Sequence, residues 1–81
     1  MKLLHFTADW CNPCKRIKPI IEEYISNNPN IEYIAVDVDS QTDLVKEWSV
    51  MSVPTLIAVG DEVKRHTGVI TSEQLKELLT N

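Results

Sequence analysis

The stretch FTADWCNPCK, residues 6–15, contains both cysteines of the 81-residue chain, Cys11 and Cys14, and the interpretation of the fold starts from it. Asn12 and Pro13 lie between the two cysteines. A residue before proline is biased toward an extended conformation, whereas proline itself suits the first helical position, where no N–H bond is lost. A helix is therefore predicted to start between the cysteines, with Cys11 beside its free N–H groups and Cys14 one turn further along.

The apolar spacing around this stretch predicts a strand, a helix and a second strand. Residues 2–7 form the first strand, and apolar residues then recur every three or four positions as far as Ile25. The polar run SNNPN, residues 26–30, ends the helix. Residues 31–38 contain the continuous apolar run IAV, which favours a parallel strand covered on both faces.

The second half of the chain predicts a short helix, two more strands and a final helix, so that the full order is βαβαββα. The short helix ends near Trp48, whose indole is expected to fill the core. The two strands are residues 55–59 and 63–67, joined by a tight hairpin around Gly60 and Asp61. The helix caps are Asp39 and Ser40 for the short helix and the capping box Thr71 and Gln74 for the last one.

Composition narrows the class of protein. A chain of 81 residues, 43% apolar and 25% charged, is expected to fold as one soluble globular domain. A net charge of -4 argues against a nucleic-acid surface, and no stretch approaches the length needed to span a membrane. Because His5 and Asp9 interrupt the apolar start, no secretion signal is evident, and the expected compartment is the reducing cytoplasm.

Two thiols in this setting favour redox chemistry over a structural disulfide or a metal site. A structural disulfide is rare in the cytoplasm, and zinc needs about four ligands, for which only His5 and His66 could join the cysteines. A helix N-terminus favours the thiolate, which is the reactive form. Cys11 is therefore expected to attack a substrate disulfide, and Cys14 to resolve the mixed disulfide that forms.

These residues also resemble a known family. FTADWCNPCK, SVPT at Val53 and Pro54 and a lone Gly68 resemble thioredoxin over nearly the whole chain. The resemblance implies a minimal thioredoxin fold in residues 1–81, with a four-stranded mixed sheet flanked by helices. It also implies a cis bond between Val53 and Pro54, although only about 5–6% of X-Pro bonds are cis and the bare sequence favours a trans residue opening a strand.

The resemblance further implies the partners and the substrate-binding residues. Protein disulfides would be the substrates and a thioredoxin reductase-like protein the electron donor, with a monomeric chain and no bound cofactor. The family pattern assigns substrate contacts to Trp10, Asn12, Pro13, Met51, Val53, Pro54 and Gly68, with Ser52 beside them in a shallow apolar groove. Alternatives are a glutaredoxin-like reductant, a metal carrier and a non-catalytic interaction module.

Several residues depart from the family pattern. Compared with typical thioredoxins, the given sequence has no match to their leading strand and helix. In size it resembles glutaredoxin or the small thioredoxin-like proteins of phages and archaea. Glutathione use is disfavoured because VITSEQ follows Gly68 where a second glycine and paired acids are expected. His5 and Ala35 stand where the family has a buried aspartate and its lysine partner. His5 is a possible proton acceptor for Cys14, or else a hydrogen-bonded core residue.

Asn12 replaces the usual glycine between the cysteines. Asparagine is a good helix cap, so its side chain could take an N–H that would otherwise face the Cys11 sulfur and stabilise the thiolate. The alternative is an exposed amide without consequence.

Overall fold

The computed structural model describes residues 1–80 and contains the predicted order of elements. The elements are β1 (Lys2–Thr7), α1 (Asn12–Ser26), β2 (Glu32–Asp37), α2 (Thr42–Glu47), β3 (Thr55–Val59), β4 (Val63–Thr67) and α3 (Ser72–Leu79). No helix within residues 1–80 is both long enough and apolar enough to cross a membrane.

The four strands form one mixed sheet in the order β2-β1-β3-β4, which confirms the expected thioredoxin fold. β1 runs parallel to β2 and antiparallel to β3, and β3 pairs antiparallel with β4. β1 is thus an inner strand, and its residues from Leu3 to Phe6 are buried. His5 lies opposite Ala35 on one side and Leu56 on the other.

Helices cover both faces of the sheet, and the alternation of side chains along β1 assigns its residues to them. Leu3 packs with Ile17 of α1 and Leu75 of α3. Phe6 packs on the opposite face, where Trp48 lies half-buried against the same cluster. His5 shares the face of Leu3, so its imidazole lies on the side of α1.

Two local predictions are corrected by the structure. β2 is parallel as predicted, but it is an edge strand in which Ala35 is exposed while Val36 is buried. Asp39 and Ser40 do not cap α2, whose N-cap is Gln41; the side chain of Gln41 accepts the N–H of Asp37 and makes no capping hydrogen bond. By contrast, the capping box at the start of α3 is confirmed, with both of its reciprocal hydrogen bonds formed.

Candidate active site

The two cysteines lie at the N-terminus of α1, where the sequence predicts them. Cys11 is the N-cap residue, with extended φ and ψ of -89° and 101°, and its Sγ accepts the N–H of Cys14 at 3.2 Å. The two residues form a disulfide with a Cα–Cα distance of 5.3 Å. Both are buried, at 4% and 2% exposure. The sulfur of Cys11 therefore occupies the place of an N-cap oxygen.

Asn12 and Pro13 form the start of the helix. The helix begins at Asn12, so that Pro13 is its second residue and not, as predicted, its first. The capping position belongs to Cys11, and Asn12 therefore does not cap the helix; its side chain is exposed. The N–H of Cys14 is consequently available to the sulfur of Cys11.

Trp10 stands beside the disulfide with a large exposed ring. Its side chain is 65% exposed, and its Nε1–H donates to Oδ2 of Asp39 at 2.9 Å. Sequence reasoning assigned Asp39 to a helix cap and missed this contact. The indole N–H of Trp10 could have indicated this contact, because a tryptophan at a surface usually donates its N–H to an acceptor nearby.

The bond between Val53 and Pro54 is cis, as the resemblance implies. Pro54 is buried, and half-buried Val53 packs against the cluster of Ala8, Cys11 and Cys14. The carbonyl of Pro54 accepts the N–H of Gly68 at 2.8 Å. Gly68 has φ of 96°, a conformation that favours glycine, and a side chain there would be strained although its Cβ would meet no atom within 4 Å.

A shallow groove of about 300 Å³ lies next to the cysteines. Its lining is apolar apart from one serine and consists of Trp10, Val38, Val45, Val50, Met51, Ser52 and Val53. Met51 is 93% exposed. Three of the seven predicted substrate-binding residues, namely Trp10, Met51 and Val53, therefore line one groove. Asn12, Pro13, Pro54 and Gly68 are not part of its lining.

His5 lies on β1 and lines a cavity together with Cys14. It is 2% exposed, its Nδ1 lies 2.9 Å from the hydroxyl of Tyr33, and its Nε2 is buried without a hydrogen-bond partner within residues 1–80. Burial, together with the positive charge of Lys18, lowers the pKa of His5 to about 4. The imidazole is therefore neutral at neutral pH.

A cavity of about 200 Å³ brings His5 and Cys14 to the same space. Its polar lining includes Lys18 and Tyr33. Burial, with a contribution from the charge of Glu22, raises the pKa of Tyr33. Cys14, although only 2% exposed, therefore lines a cavity that also has polar side chains in its wall.

Within the part of the chain that the structure describes, no three His, Cys, Asp or Glu residues are grouped so that they could hold a metal ion. His66 lies on edge strand β4, with its Nε2 3.0 Å from the carbonyl of Val69.

A cysteine pair that closes into a disulfide at a helix N-terminus, beside a cis-proline, defines the class of thiol-disulfide oxidoreductases. The chain belongs to the thioredoxin family, whose family model, described as "Thioredoxin", matches residues 1–81. It is a thiol-disulfide oxidoreductase of that family.

Curated sequences and solved structures agree with this assignment. The chain is 36% identical over 80 residues to the thioredoxin of Chlamydia trachomatis, with 96% of this chain and 78% of that protein covered. The thioredoxin structure from Fasciola hepatica is similar with a TM-score of 0.88 and 32% identity, covering 96% of this chain and 76% of the other. A third similar structure comes from work on thiol resolution in a yeast mitochondrial 1-Cys peroxiredoxin, with a TM-score of 0.86, 26% identity and coverage of 95% and 74%.

Proposed function

We propose that this protein reduces disulfides in other proteins through Cys11 and Cys14. The observation that carries the proposal is the hydrogen bond from the N–H of Cys14 to the sulfur of Cys11 at the helix N-terminus. The same N–H would stabilise a negative charge on that sulfur in the reduced protein, and the helix dipole would add to the effect. Cys11 is therefore the attacking thiol.

The reaction proceeds in two exchange steps. The Cys11 thiolate attacks one sulfur of the client disulfide, forming a mixed disulfide and releasing the other client sulfur as a thiolate. Cys14 loses its proton and attacks the sulfur of Cys11, which releases the second client thiolate and leaves the Cys11–Cys14 disulfide. Two electrons pass to the client. The Cα–Cα distance of 5.3 Å lies within the usual range for a disulfide, about 4.4–6.8 Å.

The client binds as an extended segment along the groove beside Cys11. Trp10, Met51 and Val53 supply the apolar contacts, and the exposed fractions of Trp10 and Met51, 65% and 93%, leave their side chains free for a partner. The backbone of Val53 offers hydrogen bonds to the segment. The remaining predicted contacts, Asn12, Pro13, Pro54 and Gly68, border the cysteines or hold the loops in place.

His5 receives the proton that Cys14 loses in the second step. Two observations support this role: Nε2 has no hydrogen-bond partner within residues 1–80, and His5 shares a cavity with Cys14. A pKa of about 4 makes the neutral imidazole the resting form, which has a lone pair to accept the proton. His5 would then take over a role that a carboxylate fills in the family pattern.

The setting of the reaction follows the family resemblance. The chain acts as a monomeric, single thioredoxin-like domain in the cytoplasm, recharged by a thioredoxin reductase-like donor and without nucleic-acid or membrane partners. Protein clients agree with the similar structure obtained in work on thiol resolution in a peroxiredoxin.

A trapping experiment tests the proposed function. The variant Cys14→Ser should accumulate a covalent adduct with a disulfide-containing client such as insulin, because the second step is blocked. Cys11→Ser is the matched control and should form no adduct. Mass spectrometry under non-reducing conditions measures both. The proposal is wrong if Cys14→Ser captures no client or if the two variants capture equal amounts.

A further inference from the structure

Tyr33 is positioned against His5 by the register of two parallel strands. Tyr33 of β2 pairs with Leu3 of β1, and Ala35 pairs with His5 two positions further along. Because Tyr33 and Ala35 point to the same face and Ala35 carries only a methyl group, the tyrosine can extend past it toward the imidazole. Its hydroxyl lies 2.9 Å from Nδ1 of His5, with the two rings 6.2 Å apart.

Because of this contact, the two nitrogens of the His5 imidazole have different surroundings. Nδ1 is bound to Tyr33, whereas Nε2 has no partner within residues 1–80. His5, Tyr33 and Cys14 all line the cavity of about 200 Å³. A water occupies about 30 Å³ of liquid, so the cavity can hold several. Nε2 is therefore the nitrogen left to accept a proton, and Nδ1 is the nitrogen that contacts Tyr33.

We propose that Tyr33 is the second member of a neutral proton relay that runs from Cys14 through His5 to water at the cavity mouth. The inference rests on the proposed role of His5. Nε2 takes the proton of the Cys14 thiol, while the proton on Nδ1 passes to the Tyr33 oxygen. The hydroxyl proton of Tyr33 passes to water. The imidazole ends as its other neutral tautomer, and no electrons move.

The electrostatics of the cavity favour such a relay over a charged imidazole. Burial and Lys18 lower the pKa of His5 to about 4, so a full imidazolium is costly there. Burial and Glu22 raise the pKa of Tyr33, so a tyrosinate is costly as well. The other charged groups around the cavity are Asp9 and Lys15. A concerted shift of protons forms neither ion: the proton goes to solvent, and the negative charge leaves with the client thiolate when Cys14 attacks Cys11.

The hydrogen bond to Tyr33 also sets the tautomer that can accept a proton. With Nδ1–H donating to the Tyr33 oxygen, Nε2 retains its lone pair and can accept a proton. A histidine side chain in water prefers the tautomer with the proton on Nε2. Loss of the hydroxyl should therefore shift the proton to Nε2 and remove the acceptor.

The test is the variant Tyr33→Phe, studied by single-turnover release of client from the mixed disulfide. Resolution should slow by about a hundredfold, the lower end of the range for a positioned proton-transfer group, while capture of client by Cys11 keeps its rate. In a His5→Leu background, Tyr33→Phe should have no further effect. Nitrogen NMR of His5 should show Nε2 unprotonated in the wild type and protonated in Tyr33→Phe.

Tyr24→Phe is the matched control, since Tyr24 is half-buried on α1 and packs against the core without lining this cavity. It should resolve client at the wild-type rate. If His5→Leu slows resolution but Tyr33→Phe does not, or if the two effects simply add, the relay is wrong and His5 acts alone. If Cys14→Ser captures no client, the proposed function itself is wrong.

Discussion

At the scale of single residues, the site depends on where polar side chains lie in the fold, whereas the sequence alone shows only their chemical type. His5 stands on an inner strand, 2% exposed, and Tyr33 holds one of its nitrogens. Burial of a titratable group in this way must appear in the pH dependence of stability, because the folded and unfolded chains bind protons differently.

His5 should destabilise the fold in acid. Its pKa is about 4 when folded and about 6.5 when unfolded, so between these values the unfolded chain binds more protons. The free energy of unfolding should therefore fall as the pH drops from about 6.5 to 4, by about 3 kcal/mol from this residue. Urea unfolding of the oxidised protein at pH 7 and pH 4 measures the loss. In His5→Leu the acid loss should be about 3 kcal/mol smaller.

His66→Leu provides the control for this measurement, because His66 lies on the edge strand, where its Nε2 is 3.0 Å from the carbonyl of Val69. It should retain the acid loss of the wild type. Equal losses in His5→Leu and wild type would contradict the stated protonation of His5.

The position of the Trp10 ring depends on Asp39. The indole N–H donates to this carboxylate at 2.9 Å and so holds an exposed ring beside the groove. Removing one charge-assisted hydrogen bond costs about 1.5–3 kcal/mol at most, and less at an exposed site. Asp39→Ala should therefore lower kcat/KM for insulin reduction by about threefold to tenfold, with little change in thermal stability.

Asp61→Ala is the matched control, since Asp61 is an exposed carboxylate in the turn between β3 and β4. It should leave kcat/KM unchanged. An unchanged kcat/KM in Asp39→Ala would show that the position of the Trp10 ring does not limit client binding.

At the scale of elements, the start of α1 and the end of α2 differ in how well their residues suit their positions. α1 begins with a sulfur in the N-cap place and a proline in its first turn. α2 ends at Glu47 with Trp48 as its C-cap, and the next residue, Ser49, has φ of 52°. Helices commonly end with glycine in this left-handed conformation, because a Cβ is strained there.

Replacing Ser49 by glycine should stabilise the protein. The strain of a left-handed residue, about 1–2 kcal/mol, is relieved, while the greater freedom of glycine in the unfolded chain offsets part of the gain. A net increase of about 0.5–1 kcal/mol in the free energy of unfolding is expected, measured by urea denaturation.

Ser52→Gly is the control, because Ser52 is exposed in the same loop but lacks a positive φ. It should be neutral or slightly destabilising. A destabilised Ser49→Gly variant would mean that Ser49 makes a contact worth more than its backbone strain.

At the scale of the whole molecule, the active site is assembled from loops that lie far apart in the sequence. Cys11 follows β1, Asp39 follows β2, and Pro54 precedes β3. In the sheet order β2-β1-β3-β4, the first two loops follow the carboxyl ends of the parallel strands β1 and β2. The third loop precedes β3, which runs antiparallel to β1, so all three loops lie at the same end of the strands. The N–H of Gly68 then ties the loop after β4 to the carbonyl of Pro54.

The sequence by itself determined the order of elements, the start of α1 between the cysteines and the capping box of α3, because these depend on local backbone preferences and on the period of apolar residues. The cis bond at Pro54 was expected only through the family resemblance. Tertiary structure alone decided the contacts of Asp39 with Trp10 and of Tyr33 with His5, which are 29 and 28 residues apart. Such contacts arise from strand register and loop approach, and no local pattern in the chain encodes them.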